Sequence, residues 1–160
     1  MKNLNNLLKV LLESEIEFVL IGGYASVLHG STYVTRDLDI CGLITSDQIE
    51  KLRKALKDYN PRHRMNPNVK PSFLEEPKSV EGVHHLYLET DLGVLDFLSS
   101  VTGVGDFNSI NKNAVEVPLF GYKCRVIGIE DLIKAKSTLG REKDKLVVNE
   151  LKKITDLKKR

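Results

Sequence analysis

The chain has 160 residues, 41% of them hydrophobic and 29% charged, with a formal net charge of +2. That is the size of one ordinary domain with a packed core, and too little net charge to argue by itself for a nucleic-acid partner. No apolar run reaches membrane-spanning length and the N-terminus does not read as a signal peptide; with Cys41 and Cys124 expected as reduced core thiols, the reading is a cytoplasmic protein with no membrane partner.

Leu4, Leu7, Leu8, Leu11 and Leu12 recur at helical spacing and predict a first helix over about residues 2–14. Residues 17–21 (EFVLI) read as a buried strand ending at Gly22-Gly23, and residues 24–29 as a short helix closed by Gly30. A second strand is expected over 36–42. Ser46 is expected to cap a helix over 47–59, with Ile49, Leu52 and Leu56 on its buried face. Pro61, Pro67, Pro71 and Pro77 then break regular structure over a long stretch, of the kind that is usually functional or mobile. Strands follow over 85–89 and 93–98, joined by the turn Thr90-Asp91-Leu92. Strands over 115–119 and 122–127 make a hairpin across Phe120-Gly121. Helices over 129–139 and 142–157 finish the chain, with Gly140 as a helix C-cap between them. The order is mixed α/β: a single domain over 1–160, with helices packed on one mixed β-sheet.

The chemistry lies in the second strand. Side chains of a strand alternate faces, so Asp37 and Asp39 share one face while Leu38 and Ile40 take the other. Adjacent carboxylates repel and need a cation, a shared proton or bulk water between them. A divalent metal is the favoured reading, with a glycine turn able to hold phosphate just upstream. Asp96 lies inside the apolar run Gly93-Val-Leu-Asp-Phe-Leu-Ser99. A charge there is costly unless paired or metal-bound, and the competing reading is a structural ion pair with a nearby Lys or Arg. Three carboxylates on neighbouring strands can cage two Mg²⁺ ions, which sit roughly 3.5–4 Å apart in two-metal phosphoryl-transfer sites.

Gly22-Gly23, Asp37-x-Asp39 and a later lone Asp96 together resemble the nucleotidyltransferase superfamily, the fold of DNA polymerase β. The fuller set is Gly22-Gly-Tyr-Ala25, His29-Gly30, Thr35-Arg36-Asp37-Leu-Asp39-Ile40, Asp131-Leu-Ile-Lys-Ala-Lys136 and Gly140-Arg-Glu-Lys-Asp144. It is similar to the small bacterial and archaeal branch that includes abortive-infection toxins and minimal antitoxin-like proteins. The resemblance implies transfer of a nucleotide from an NTP such as ATP, dependent on two Mg²⁺ ions or on Mn²⁺. Asp37 and Asp39 would bind both metals; Asp96 would bind the catalytic one and help deprotonate the acceptor. Gly22 and Gly23 would offer N–H groups to the triphosphate, and Gly23 stands where many members have Ser. Lys136 and Arg141 match basic positions near the triphosphate, Asp144 a carboxylate that orients one of them, and Thr35 and Arg36 a site role.

Each supporting residue has a plainer reading. Charge-rich helix ends are usually solvated faces, which is the reading taken for Lys134 and Lys143. Arg36 could be a surface strand-end residue, His29 a helix-end cap, and Tyr24 a core residue rather than a base-stacking one. Between Lys51 and Lys70 stand seven Lys or Arg against one acid, Asp58. That run is either a solvated helix face or a guide for an anionic acceptor such as RNA. The acceptors the resemblance allows are an RNA 3′ end, a protein side chain or a small molecule such as an antibiotic. The last ranks lower because such enzymes usually carry an added domain. A role as one half of a toxin–antitoxin pair is compatible with all of these. The alternative class is an antitoxin-like protein that binds a partner toxin, with weak or no catalysis.

Overall fold

The computed structural model describes residues 3–159; the Lys2 end of the expected first helix lies outside the described residues. Helices are α1 (Leu4–Glu13), α2 (Gly22–Leu28), α3 (Ser46–Leu56), α4 (Phe107–Lys112), α5 (Ile129–Leu139) and α6 (Glu142–Lys158). Strands are β1 (Val19–Ile21), β2 (Asp37–Cys41), β3 (Arg62–His63), β4 (His85–Thr90), β5 (Gly93–Leu98), β6 (Ser100–Val101), β7 (Gly105–Asp106), β8 (Val115–Leu119) and β9 (Tyr122–Val126). Seven of them form one mixed sheet in the order β3-β4-β5-β2-β1-β9-β8, and β6 and β7 pair separately.

The pairing that matters for function is in the middle of the sheet. β2 runs parallel to β5, with Asp39 opposite Asp96 and Leu38 opposite Leu95. β1 runs antiparallel to β2, with Ile21 opposite Asp39. Equal register on neighbouring strands means a shared face. One face therefore carries Leu20, Leu38, Ile40, Leu86, Leu88, Leu95 and Phe97, all buried in one core with Leu7, Leu8 and Leu11 of α1 and Ile49, Leu52 and Leu56 of α3. Truncating Leu7 or Leu8 to Ala would cost about 2–5 kcal/mol, because the cavity left behind cannot fully close. The opposite face carries Asp37, Asp39 and Asp96. The sheet thus spends its apolar face on stability and leaves a polar face for chemistry.

Several expectations are corrected. The third helix is capped by Thr45, not Ser46: the Thr45 side chain accepts from the Gln48 N–H at 3.2 Å. Its end tightens into a 3-10 turn over Lys57–Tyr59, stopped by Asn60 in the left-handed region at φ 51°. The proline-rich stretch is not a free loop. It contains β3, buries Phe73 completely, and is clamped by Arg53, which donates to the carbonyls of Phe73 and Pro77 at 2.7 and 2.6 Å. The stretch over 99–114, unassigned from sequence, holds β6, β7 and α4. These are too short to show a period, although Asp106 caps α4 by accepting from the Ser109 N–H at 3.0 Å. The hairpin turn falls where expected, with Phe120 at φ 53° and Gly121 at φ 83°, the geometry a two-residue hairpin turn favours. Gly140, at φ 63°, closes α5. Both cysteines are free and buried. No described helix is long and apolar enough to cross a membrane.

Candidate active site

β1 delivers the chain to Gly22, where α2 begins two residues earlier than the sequence spacing predicts. Gly22 has φ +71°, and a Cβ there would collide with the Asp39 carboxylate. A Cβ on Gly23 would lie 2.7 Å from the Thr35 hydroxyl oxygen. Both glycines are therefore required by close approach: the backbone of the first α2 turn lies directly against Asp39 and Thr35. Thr35 in turn donates from its hydroxyl to the Asp37 carbonyl at 3.0 Å, fixing the entry to β2. The preceding segment is tied to α6, since Glu150 accepts from the hydroxyls of Ser31 and Thr32 at 2.8 and 2.6 Å.

These elements enclose an open cleft of about 650 Å³. Of the residues expected at the site, Gly23, Thr35, Arg36, Asp37, Asp39, Asp96, Lys136, Arg141 and Asp144 all line it. Gly22 lines a contiguous cavity of about 280 Å³ that shares Asp39, Lys136 and Arg141 and extends to His85 and Tyr87. On the other side, a cavity of about 580 Å³ shares Tyr33, Val34 and Thr35 with the cleft and reaches Tyr24 and Val27. Tyr24 donates its hydroxyl to Asn5 at 2.6 Å. His29 is a helix-end group whose ring Nε2 bonds the Ile127 carbonyl at 2.7 Å.

The electrostatics follow first from burial and then from crowding. Burial, then the nearby Asp96 and Asp37 charges, push the Asp39 carboxyl up to about 7, against the pull of Lys136 and Arg64. Burial also raises Asp96, a shift that the hydrogen bond and charge of Arg64 only partly reverse. Burial lowers Lys136, opposed by Asp144. Asp144 is buried, which by itself raises a carboxyl, yet its hydrogen bond to Arg141 and the charges of Arg141 and Lys136 hold it below its ordinary value. It accepts from Arg141 Nε at 2.6 Å and from the Arg141 main-chain N–H at 3.2 Å, and stands 3.6 Å from Lys136 Nζ. Asp144 thus orients both basic residues, which the sequence offered only as one possibility among solvated helix ends.

Two cleft residues escaped the sequence reading. Lys143 lines the cleft despite its plainer assignment. Arg64, read there as part of the basic run, forms a bidentate ion pair with Asp96 at 2.7–2.8 Å. The ion-pair reading of Asp96 is therefore what the structure holds, and the signal for it was the bare need of a buried Asp for a cation.

The donor set suits a hard divalent ion: Asp37, Asp39 and Asp96 lie together on one sheet face of the cleft, and no Cys or His lines it. Burial first, and then the Asp96 and Asp37 charges, raise Asp39, and a cation in the cleft would offset both. As they stand, no three acidic, His or Cys side chains among the described residues converge tightly enough to hold an ion. Both Asp96 oxygens are taken by Arg64, whereas Asp37 and Asp39 face the cleft outside that pair.

No family model matches the chain, and no curated protein does. Solved structures do. The lincosamide antibiotic adenylyltransferase LnuA, solved with lincomycin bound, superposes with a TM-score of 0.63 at 19% identity, over 95% of this chain and 96% of that one. An antigenic nucleotidyltransferase-like protein from Paracoccidioides brasiliensis gives 0.58 at 16% identity, over 97% and 76%. TM1012 from Thermotoga maritima, a candidate nucleotidyltransferase, gives 0.54 at 17%, over 98% and 91%. With identities this low the likeness is one of architecture, and it establishes that the chain has the nucleotidyltransferase fold.

Proposed function

We propose that this protein transfers an NMP from an NTP, ATP among them, to an acceptor hydroxyl in a reaction that depends on Mg²⁺ or Mn²⁺. The observation that carries the reading is the register of β2 and β5, which sets Asp39 against Asp96, with Asp37 beside them, on the one sheet face that opens into the cleft. Asp37, Asp39 and Asp96 would hold the metal ions. When bound, such ions act as Lewis acids that activate the attacking hydroxyl and steady the leaving pyrophosphate. The acceptor oxygen forms a bond to the α-phosphorus, the bond from that phosphorus to the bridging oxygen breaks, and pyrophosphate departs. Asp96 takes the proton of the acceptor hydroxyl. Gly22, Gly23, Thr35 and Arg36 would line the triphosphate on one side. Lys136 and Arg141, oriented by Asp144, would neutralise it on the other. Two cavities flanking the cleft supply room for a nucleoside and for an acceptor.

Two observations bear on the acceptor. The basic run between Lys51 and Lys70 is largely committed to intramolecular pairs: Lys51 with Asp47, Arg53 with Glu50, Arg62 with Glu89 and Asp91, Arg64 with Asp96, and Lys70 with Glu89. That leaves little of it to guide RNA. LnuA, an antibiotic adenylyltransferase solved with lincomycin bound, matches this chain nearly end to end, which supports a small-molecule acceptor. A small hydroxylated compound therefore stands level with a protein side chain and ahead of an RNA 3′ end. A toxin–antitoxin role fits a protein or RNA acceptor. An antitoxin-like binder with weak catalysis is favoured only by the pairing of Asp96 with Arg64.

The deciding assay incubates pure protein with labelled NTPs and Mg²⁺ or Mn²⁺. Total tRNA, a cell lysate and a panel of lincosamides and aminoglycosides are supplied in turn as acceptor. Label should move to one acceptor class with release of pyrophosphate, and Asp39→Asn should abolish it. Absence of transfer to every class from folded, metal-loaded protein would overturn the enzymatic reading.

A further inference from the structure

Asp96 already has a cation. Arg64 Nη2 donates to Asp96 Oδ1 at 2.8 Å and to Oδ2 at 2.7 Å, and Nε donates to Oδ1 at 3.2 Å. The guanidinium carbon lies 5.6 Å from the ring centre of Tyr87, and the Arg64 main-chain N–H donates to the Tyr87 carbonyl at 3.1 Å. Tyr87 is the cross-strand neighbour of Asp96. The arginine follows β3, is tied to β4 through its main-chain N–H and reaches past the Tyr87 ring to a carboxylate on β5.

An arginine seated in this way and a divalent ion compete. The guanidinium occupies both Asp96 oxygens, while a Mg²⁺ or Mn²⁺ ion needs at least one of them in its own coordination shell. Holding a single positive charge and a double one at the same carboxylate adds direct repulsion. Simple removal of Arg64 would in turn leave Asp37, Asp39 and Asp96 facing one another uncompensated. Exchanging one cation for the other avoids both penalties.

We propose that Arg64 is an exchangeable counter-cation: it neutralises Asp96 in the metal-free protein and gives the carboxylate up when a divalent ion enters. The proposal rests on the metal-dependent reading of the same cleft. Its geometry favours exchange over permanence. Arg64 follows a two-residue edge strand, its side chain is 28% exposed, and it lines the cleft into which the anionic substrate would come. Its fork of donors also suits a phosphate, so the released side chain has an anionic partner to meet in the same cleft.

The test is Mn²⁺ binding without nucleotide, followed by calorimetry and by the EPR signal of the free ion, on the wild-type protein, Arg64→Gln and Arg64→Lys. Arg64→Gln should bind Mn²⁺ on the order of tenfold more tightly than wild type, with a larger Mn²⁺-induced rise in melting temperature. Arg64→Lys keeps a charge but loses the fork, and should fall between them. Equal or weaker Mn²⁺ binding by both variants would overturn the exchange and make Arg64 a fixed structural partner of Asp96. Failure of all three proteins, wild type included, to bind Mn²⁺ would overturn the metal-dependent reading itself, and the exchange with it. Should Arg64→Gln not fold, Arg64→Lys alone decides the sign.

Discussion

Two aspartates in this cleft are each held by an arginine, and they differ in almost everything else. Asp144 has a side chain only 1% exposed, receives Arg141 and Lys136 together, and accepts a main-chain N–H at the start of α6. Asp96 is 12% exposed at its side chain and receives a single arginine from an edge segment. A buried carboxylate that meets a lysine from α5, an arginine at the α6 N-cap and a main-chain N–H is scaffold: it positions Lys136 and Arg141. A carboxylate bridged by one swinging side chain across two strands is a place where a cation can be replaced. The lesson is that ion-pair geometry alone does not separate structure from function; what else holds each partner does.

The largest expected effect is on chemistry. Asp39→Asn should abolish nucleotide transfer in the labelled-NTP assay, because the metal ions would lose a carboxylate that holds them. Retained activity would remove Asp39 from the reaction.

The next effect is on stability and contrasts the two pairs directly. Asp144→Asn leaves Lys136, itself mostly buried, without its partner. It should cost about 3 kcal/mol or more in urea unfolding, as breaking a buried pair does. Asp96→Asn frees a partly exposed arginine and relieves crowding with Asp37 and Asp39, so its cost should stay within about 1 kcal/mol. Equal losses would show that both pairs are scaffold.

The pH dependence sharpens the point. Folding raises the Asp39 carboxyl from 3.8 to about 7, chiefly by burial. A raised acid favours the folded state while protonated. Its contribution is therefore complete below the unfolded value of 3.8 and is lost as pH climbs through about 7. Metal-free protein should thus lose stability across that window by a few kcal/mol at most. Both Asp39→Asn and added Mg²⁺ should flatten the loss. A melting temperature that holds constant or rises between pH 4 and 7 in the metal-free wild type, relative to Asp39→Asn, would contradict the burial of Asp39 beside Asp96 and Asp37.

The smallest effect lies outside the cleft. Arg62 shares Glu89 with Lys70 at the surface end of the same strand pair. Arg62→Ala should change stability by less than about 1 kcal/mol and leave Mn²⁺ binding unaltered. A large change in metal affinity there would mean that the edge strand, not the Arg64 side chain, controls access to Asp96.

Much of the architecture was legible because it is written in local spacing. The leucines of α1, the apolar run into Gly22-Gly23, the Phe120-Gly121 turn and the Gly140 stop each act through the backbone within a few residues. Alternation within β2 likewise places Asp37 and Asp39 on one face without knowledge of any neighbour. Elements of two residues, such as β3, β6 and β7, left no period to read. The burial of Phe73 was hidden for a related reason, since a proline-rich segment announces a break in regular structure and says nothing about what it packs on.

What the sequence by itself determined is the carboxylate inventory and the backbone turns that present it, because both depend on near neighbours along the chain. Which cation meets which carboxylate was decided only by tertiary structure. Arg64 reaches Asp96 across 32 residues because β3 pairs with β4 and β4 with β5. Lys136 and Arg141 converge on Asp144 because α5 turns back at Gly140 into α6. A charge pair is a matter of distance in space, and the order of strands in the sheet sets that distance.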